Sequence, residues 1–252
     1  MMKLWNKISI HPLTYIMILI SLLSGLFKLV LIAFTIVILH ELGHIICLII
    51  FKRKINKIII LPFGGLIKID SPISSYILED LLISISGISM QLVIGIISIL
   101  LYQNNIIDYY LYQSIYFYNT IIITFNLIPL CPLDGYKIVK LIEEIIIPYK
   151  RTFIYSFFIS VLIFISIILF KVNLVKENIL VFIFILISTI LEYKNRNKYV
   201  LRFYLERLNK EYNFNRISFI NRIEEMYKNR LHIINGTSEK EYLKKYFGIK
   251  SD

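Results

Sequence analysis

The chain of 252 residues is short of cysteine, of acidic side chains and of histidine, and each shortage narrows its class. The two cysteines, Cys47 and Cys131, cannot form a disulfide framework, so nothing calls for an oxidising compartment. Acidic residues number 17 against 28 Lys and Arg, leaving a net charge of +11. Such a surplus can mark a nucleic-acid binder. Here the cations lie in loops beside apolar runs and in the C-terminal tail, with no basic stripe on a soluble module, so no nucleic-acid partner is expected. No internal repeat with a period of about 20–50 residues is found. The first apolar run has no small-residue cleavage site before the next begins, so no cleavable signal peptide is expected.

What is abundant is apolar. Hydrophobic residues make up 57% of the chain and the mean hydropathy is +0.70, values of a membrane protein. Six apolar runs read as spans, at about 13–27, 29–51, 81–102, 111–128, 152–170 and 179–193. Between the second and third, Ile58–Leu61 and Leu66–Ile69 flank the turn Pro62-Phe63-Gly64-Gly65 and predict a membrane-associated β-hairpin. Non-helical backbone is tolerated at membrane depth only under cover of protein or a wet cavity, so the hairpin should border a site. An amphipathic linker with Glu143, Glu144, Lys150 and Arg151 precedes the fifth span. The remainder is polar: Leu231–Ile234 reads as a strand, and Ser238 to Phe247 as a helix with a Ser238/Glu241 capping box. The expected fold class is an α-helical polytopic membrane protein of about six transmembrane helices with that hairpin and a small cytoplasmic α/β tail. The expected division is residues 1–193 in the membrane and 194–252 in the tail. Lys3, Lys7, Lys52 to Lys57, Lys137, Lys140, Lys150, Arg151 and the tail fall on one side, Lys28, Lys171 and Lys176 on the other. That asymmetry predicts cytoplasmic N- and C-termini.

The second run contains His40-Glu41-Leu42-Gly43-His44, an HExxH pattern whose polar side chains are costly inside a bilayer. On a helix His40 and His44 share one face, so both can reach one metal with Glu41 beside it as a base. His40 lies 12 residues before Lys52, hence about 18 Å from the cytoplasmic end of its helix. A catalytic zinc site needs a third protein ligand and an open position. Only four histidines occur, and His11 and His232 lie before the first span and in the tail. Glu79 and Asp80 open the third span. Asp134 is the better candidate, because Pro129 and Pro132 unwind the chain before it and Gly135 follows. His40, His44 and Asp134 are therefore the expected Zn2+ ligands and Glu41 the general base, for peptide-bond hydrolysis. Asn126 is placed to hydrogen-bond a substrate backbone or an oxyanion, although a helix-end amide serving nearby backbone fits equally. Cys47 and Cys131 read as small buried apolar residues.

His40-Glu41-Leu42-Gly43-His44, Leu61-Pro62-Phe63-Gly64-Gly65, and Asn126-Leu-Ile-Pro with Pro132-Leu-Asp134-Gly135 resemble the site-2 protease family of intramembrane zinc metalloproteases. His11-Pro12, the missing PDZ insertion and Arg202-Phe203-Tyr204-Leu205-Glu206-Arg207 make the chain similar to its stage IV sporulation protein FB type. The resemblance implies cleavage of a membrane-associated substrate, in this branch the pro-sequence of a sigma-K precursor, in the mother-cell membrane surrounding the forespore. It implies inhibitory membrane proteins as partners, leaves room for a homo-oligomer, carries zinc ligation to His40, His44 and Asp134, and brings the hairpin around Phe63 near the substrate path. Another substrate, an anti-sigma factor or remnant signal peptide, and an inactive membrane scaffold are the alternatives. Two features depart from the family. Gln91 stands where members often carry Asn, without the preceding Pro. Only residues 203–252 follow Arg202, where the branch usually has a full nucleotide-sensing CBS-type domain, so the tail resembles a shortened CBS-like unit.

Overall fold

The structure, a computed structural model, describes residues 7–61, 64–69, 76–170 and 179–249. They group into two compact units, one drawn from residues 1–71 and 82–126, the other from 72–81 and 127–252.

The first unit is built on α1 (Pro12–Leu23), α2 (Phe27–Ile50), α3 (Ile77–Gln103, whose first turn belongs to the second unit) and α4 (Tyr109–Leu127). Helix α2 starts two residues before the expected span, so Lys28 lies in its first turn. The helix stops where Lys52 takes a left-handed φ of 54°. Lys52 N–H then reaches the Ile49 carbonyl at 2.9 Å and Arg53 N–H the Leu48 carbonyl at 2.8 Å, which satisfies two end carbonyls and turns the chain into a strand. The expected hairpin is present: β2 (Ile55–Leu61) pairs antiparallel with β3 (Gly64–Ile69), and β1 (Ile8–Ile10) adds to β2 in parallel. Leu48, Ile55 and Ile58 form a small core with Ile45, Ile67 and Ile83, so the hairpin packs on the last turns of α2 and the start of α3.

The second unit contains α5 (Asp134–Ile146), α6 (Tyr149–Phe170), α7 (Ile179–Asn209), a sheet of β4 (Ile217–Ile220), β5 (Leu231–Ile234) and β6 (Thr237–Ser238), and α8 (Glu239–Tyr246). Strand β5 is central, parallel to β4 and antiparallel to β6. The capping box forms at the start of α8, with Ser238 accepting from Glu241 N–H and Glu241 accepting from Ser238 N–H. The core of this end joins Tyr149 and Phe153 of α6 and Val200, Phe203 and Tyr204 of α7 to Ile220, Ile223, Met226, Ile234 and Leu243. Arg207 is buried beneath it, its Nε 2.7 Å from Glu239 Oε1. Burial pushes that guanidinium below its ordinary value against the upward pull of Glu239.

A helix forms at each of the six expected apolar runs. Three described helices, α2, α3 and α6, are long and apolar enough to cross a membrane. Helix α1 has only 12 residues, α4 is diluted by Tyr, Asn, Gln and Thr, and α7 acquires Glu192, Lys194, Arg196 and Lys198 as it continues to Asn209. Many large apolar side chains face outward, among them Leu23 and Phe170 (both 81% exposed) and Leu180 (76%). Apolar surface on that scale suits lipid and not water, and the chain is an integral membrane protein.

Candidate active site

His40 and His44 sit one turn apart on α2 and are both buried. Their imidazoles meet edge to face, with the two Nε2 atoms 3.2 Å apart. His44 Nδ1 is 2.7 Å from the Ile83 carbonyl oxygen, which can only accept. The proton of His44 is therefore on Nδ1, and its Nε2 presents a lone pair. His40 Nδ1 lies 3.1 Å from Gln91 Oε1, the same arrangement with an amide oxygen. With both protons on Nδ1, the two Nε2 lone pairs face each other, an arrangement that a cation between them stabilises. Nitrogens held ~2.0–2.1 Å from one zinc at a tetrahedral angle stand about 3.3 Å apart, close to what is found.

Glycines make room for this pair. A Cβ on Gly87 of α3 would stand 2.4 Å from His44 Nε2 and 2.5 Å from His40 Cε1. A Cβ on Gly43 would stand 2.6 Å from the Ser86 carbonyl oxygen, so the bare faces of α2 and α3 cross in contact there. Gly95 faces Asn119 of α4 with space for a Cβ at 3.5 Å from Nδ2.

Asp134 is the first residue of α5 and is buried. The chain leaves helical geometry after Leu127 and regains it at Asp134, as the two prolines predict. A Cβ on Gly135 would stand 2.3 Å from the Leu127 carbonyl oxygen, so only glycine lets α5 start against the end of α4. Lys137, one turn on, donates to Asp134 Oδ1 at 2.8 Å. His40, His44 and Asp134 form a group whose ligand atoms all lie within 4.8 Å of one another and could hold a metal ion. Two imidazoles and one carboxylate are a donor set of catalytic zinc.

Glu41 is half-buried beside this pair. Its Oε1 accepts the Gly65 N–H at 2.7 Å, and a Cβ on Gly65 would stand 2.6 Å from the Glu41 carboxyl carbon. The hairpin thus borders the site through β3. Asn126 lies half-buried in the last turn of α4 and is not part of the metal-binding group. Phe63 lies outside the described residues. Cys47 and Cys131 are unpaired thiols outside the group, and Asp80, the alternative carboxylate, pairs with Lys228 at 3.0 Å. Ile83, Gly87 and Gln91 escaped the sequence reading as contributors to one place. Their spacing of four residues on one helix face is the signal that could have joined them.

Residues 27–107 match Peptidase family M50. Stage IV sporulation protein FB of Bacillus subtilis is 28% identical over 204 residues, 80% of this chain and 71% of that protein. Zinc metalloprotease MJ0392 of Methanocaldococcus jannaschii is 36% identical over 112 residues, 43% of this chain and 32% of that protein. The solved structure of a site-2 protease from Methanocaldococcus jannaschii superimposes with a TM-score of 0.56 at 28% identity, covering 74% of this chain and 90% of that one. The motifs, the fold of a solved relative and the metal-binding donor set agree: this chain is similar to the site-2 protease family and is a zinc metalloendopeptidase.

Proposed function

We propose that the chain cuts the pro-sequence of a membrane-associated sigma-factor precursor of the sigma-K kind. The reading is supported most by likeness to stage IV sporulation protein FB over 80% of the chain, combined with a complete donor set at the HExxH helix. Proteases of this family act on membrane-associated substrates. The choice of a sporulation substrate, the mother-cell membrane around the forespore and control by inhibitory membrane proteins belong to this proposal.

In this reading His40, His44 and Asp134 hold zinc in a six-span domain of residues 1–193, with both termini cytoplasmic. Residues 194–252 form a shortened CBS-like tail. Held by these three residues, zinc would supply Lewis-acid chemistry, lowering the pKa of a water toward ~7 and polarising the scissile carbonyl. Glu41 takes the water proton and returns it to the departing amine. Gly65 N–H donates to Glu41 Oε1 at 2.7 Å, leaving Oε2 for the proton. Gly65 thereby fixes the direction in which the base points. Asn126 donates to the substrate backbone or the developing oxyanion, and the hairpin tip at Phe63 lies along the substrate path.

The test is co-expression with a membrane-associated sigma-factor precursor, an anti-sigma factor and a remnant signal peptide, each followed by product size. The sigma precursor is expected to be cut, and Glu41→Gln is expected to stop cleavage while zinc stays bound. Efficient cutting of either other substrate with the sigma precursor intact overturns the substrate. Cleavage that survives Glu41→Gln overturns the role of the base.

A further inference from the structure

We infer that Gln91 is a positioning residue for the metal site, acting through His40; the inference rests on the zinc reading above. Gln91 lies on α3 one turn beyond Gly87, on the face that meets α2, and is fully buried. Its Oε1 is 3.1 Å from His40 Nδ1. A neutral imidazole carries one proton and offers one lone pair. For His40 Nε2 to bind a metal, the proton must be on Nδ1, and Nδ1 then needs an acceptor. Gln91 Oε1 is that acceptor. With the carboxamide turned the other way, an NH2 group would face Nδ1 and force the proton onto Nε2, which closes the metal site. The His40 partner therefore fixes which end of the amide points inward.

His44 obtains the same service from a backbone carbonyl, Ile83 O, which needs no particular side chain. His40, one turn earlier, has a side-chain oxygen, Gln91 Oε1, at that place. Gln91 has the reach from α3. Its backbone carbonyl is in turn held by Asn119 Nδ2 of α4 at 2.9 Å.

The cost of this arrangement argues for a role. Gln91 Nε2 and Asn119 Oδ1 are both buried and have no hydrogen-bond partner among the described residues. A half-satisfied amide in an apolar helix is worse for stability than a leucine of similar volume. Packing alone gives no reason to keep glutamine there, whereas tautomer control of a metal ligand does.

Zinc affinity of purified full-length protein in detergent, measured by competition with a chromophoric chelator, tests the inference. The visible spectrum of the cobalt-loaded protein and the melting temperature of the metal-free protein accompany it. Gln91→Leu is expected to weaken zinc binding about 10- to 100-fold, to alter the cobalt bands, and to leave the metal-free protein at least as stable as the parent. Gln91→Glu keeps an acceptor toward Nδ1 and is expected to bind zinc as tightly as the parent or more so. If Gln91→Leu does not fold, Gln91→Glu decides: parental affinity supports the role, and affinity lost in a folded protein overturns it. Parental affinity and cobalt bands in folded Gln91→Leu also overturn it. If the parent itself binds no zinc, the metal reading fails and not the Gln91 inference alone.

Discussion

At the scale of single residues, the site depends as much on side chains that are missing as on those present. Gly87 leaves a notch in α3 that two imidazoles fill, and Gly65 leaves one in β3 that the Glu41 carboxylate fills. Gly87→Ala is expected to push both imidazoles off their meeting point, since a Cβ at 2.4 Å from a ring nitrogen forces a shift. Zinc content should then fall well below one per chain while the helical circular dichroism is kept. Gly65→Ala is expected to spare zinc binding and lower kcat, because the added methyl displaces the base and touches no ligand. Single-turnover cleavage with matched zinc loading measures the difference. The members of the candidate metal group were legible in the sequence, the two histidines because polar residues in an apolar helix are costly and so conspicuous, and Asp134 because two prolines announced a break. The notches and Gln91 were not. A glycine in a transmembrane helix looks the same whether it faces a backbone, as Gly43 does, or a pair of imidazoles, as Gly87 does. Only the packing of α3 against α2 separates the two.

At the scale of elements, α5 carries Asp134 and is held along its length by charge. Lys140 pairs with Glu192 of α7 at 2.7 Å and lies 3.7 Å from the centre of the Phe153 ring. Glu143 accepts from Ser156 of α6 at 2.5 Å. Glu144 meets Lys228, from the connection between β4 and β5, at 2.9 Å, and the same ammonium reaches Asp80 in the first turn of α3. Burial pushes the Lys228 ammonium down, but the Glu144 and Asp80 carboxylates outweigh it and leave its pKa above the ordinary 10.5. A raised lysine pKa means stabilisation that is complete below the ordinary value and is lost as pH rises through the folded one. Protection of the tail from protease is therefore expected to be flat across neutral and mildly alkaline pH and to fall only above 10.5. Lys228→Met removes the cation and leaves two carboxylates facing one another. It is expected to destabilise the tail by ~3–5 kcal/mol, read as tail cleavage at lower denaturant concentration. The hairpin, the tail strand and the capped helix were readable because local pattern decides them. The Lys228 cluster was not, since its three members are far apart in sequence and look like ordinary surface charges.

At the scale of the whole molecule, the polarity of the chain sorts its chemistry by depth. Helices α2, α3 and α6 are apolar enough to cross a bilayer, and α2 carries two of the three residues of the candidate metal group. The polar end is tied by side chains to α6 and α7, whose Tyr149, Phe153, Val200 and Phe203 join the tail core. Cutting the chain between the membrane part and the tail exposes that core. A chain truncated after residue 209 is expected to lose thermal stability in detergent as well as its tail. The six apolar runs were readable at once, but three of the helices they form are short or polar by composition. Helix α1 falls short by its length, α4 by its polar side chains and α7 by the charges of its second half.

The central claim is that His40, His44 and Asp134 together hold one catalytic zinc. Zinc stoichiometry measured on purified full-length protein beside Asp134→Asn, His44→Ala and Glu41→Gln tests it most directly, with precursor cleavage followed before and after chelation. The account predicts one zinc per chain in the parent and in Glu41→Gln and loss of zinc in the other two. It also predicts cleavage only in the parent, abolished by chelation and restored by added zinc. Full zinc occupancy in Asp134→Asn, or cleavage by a protein stripped of metal, would contradict it.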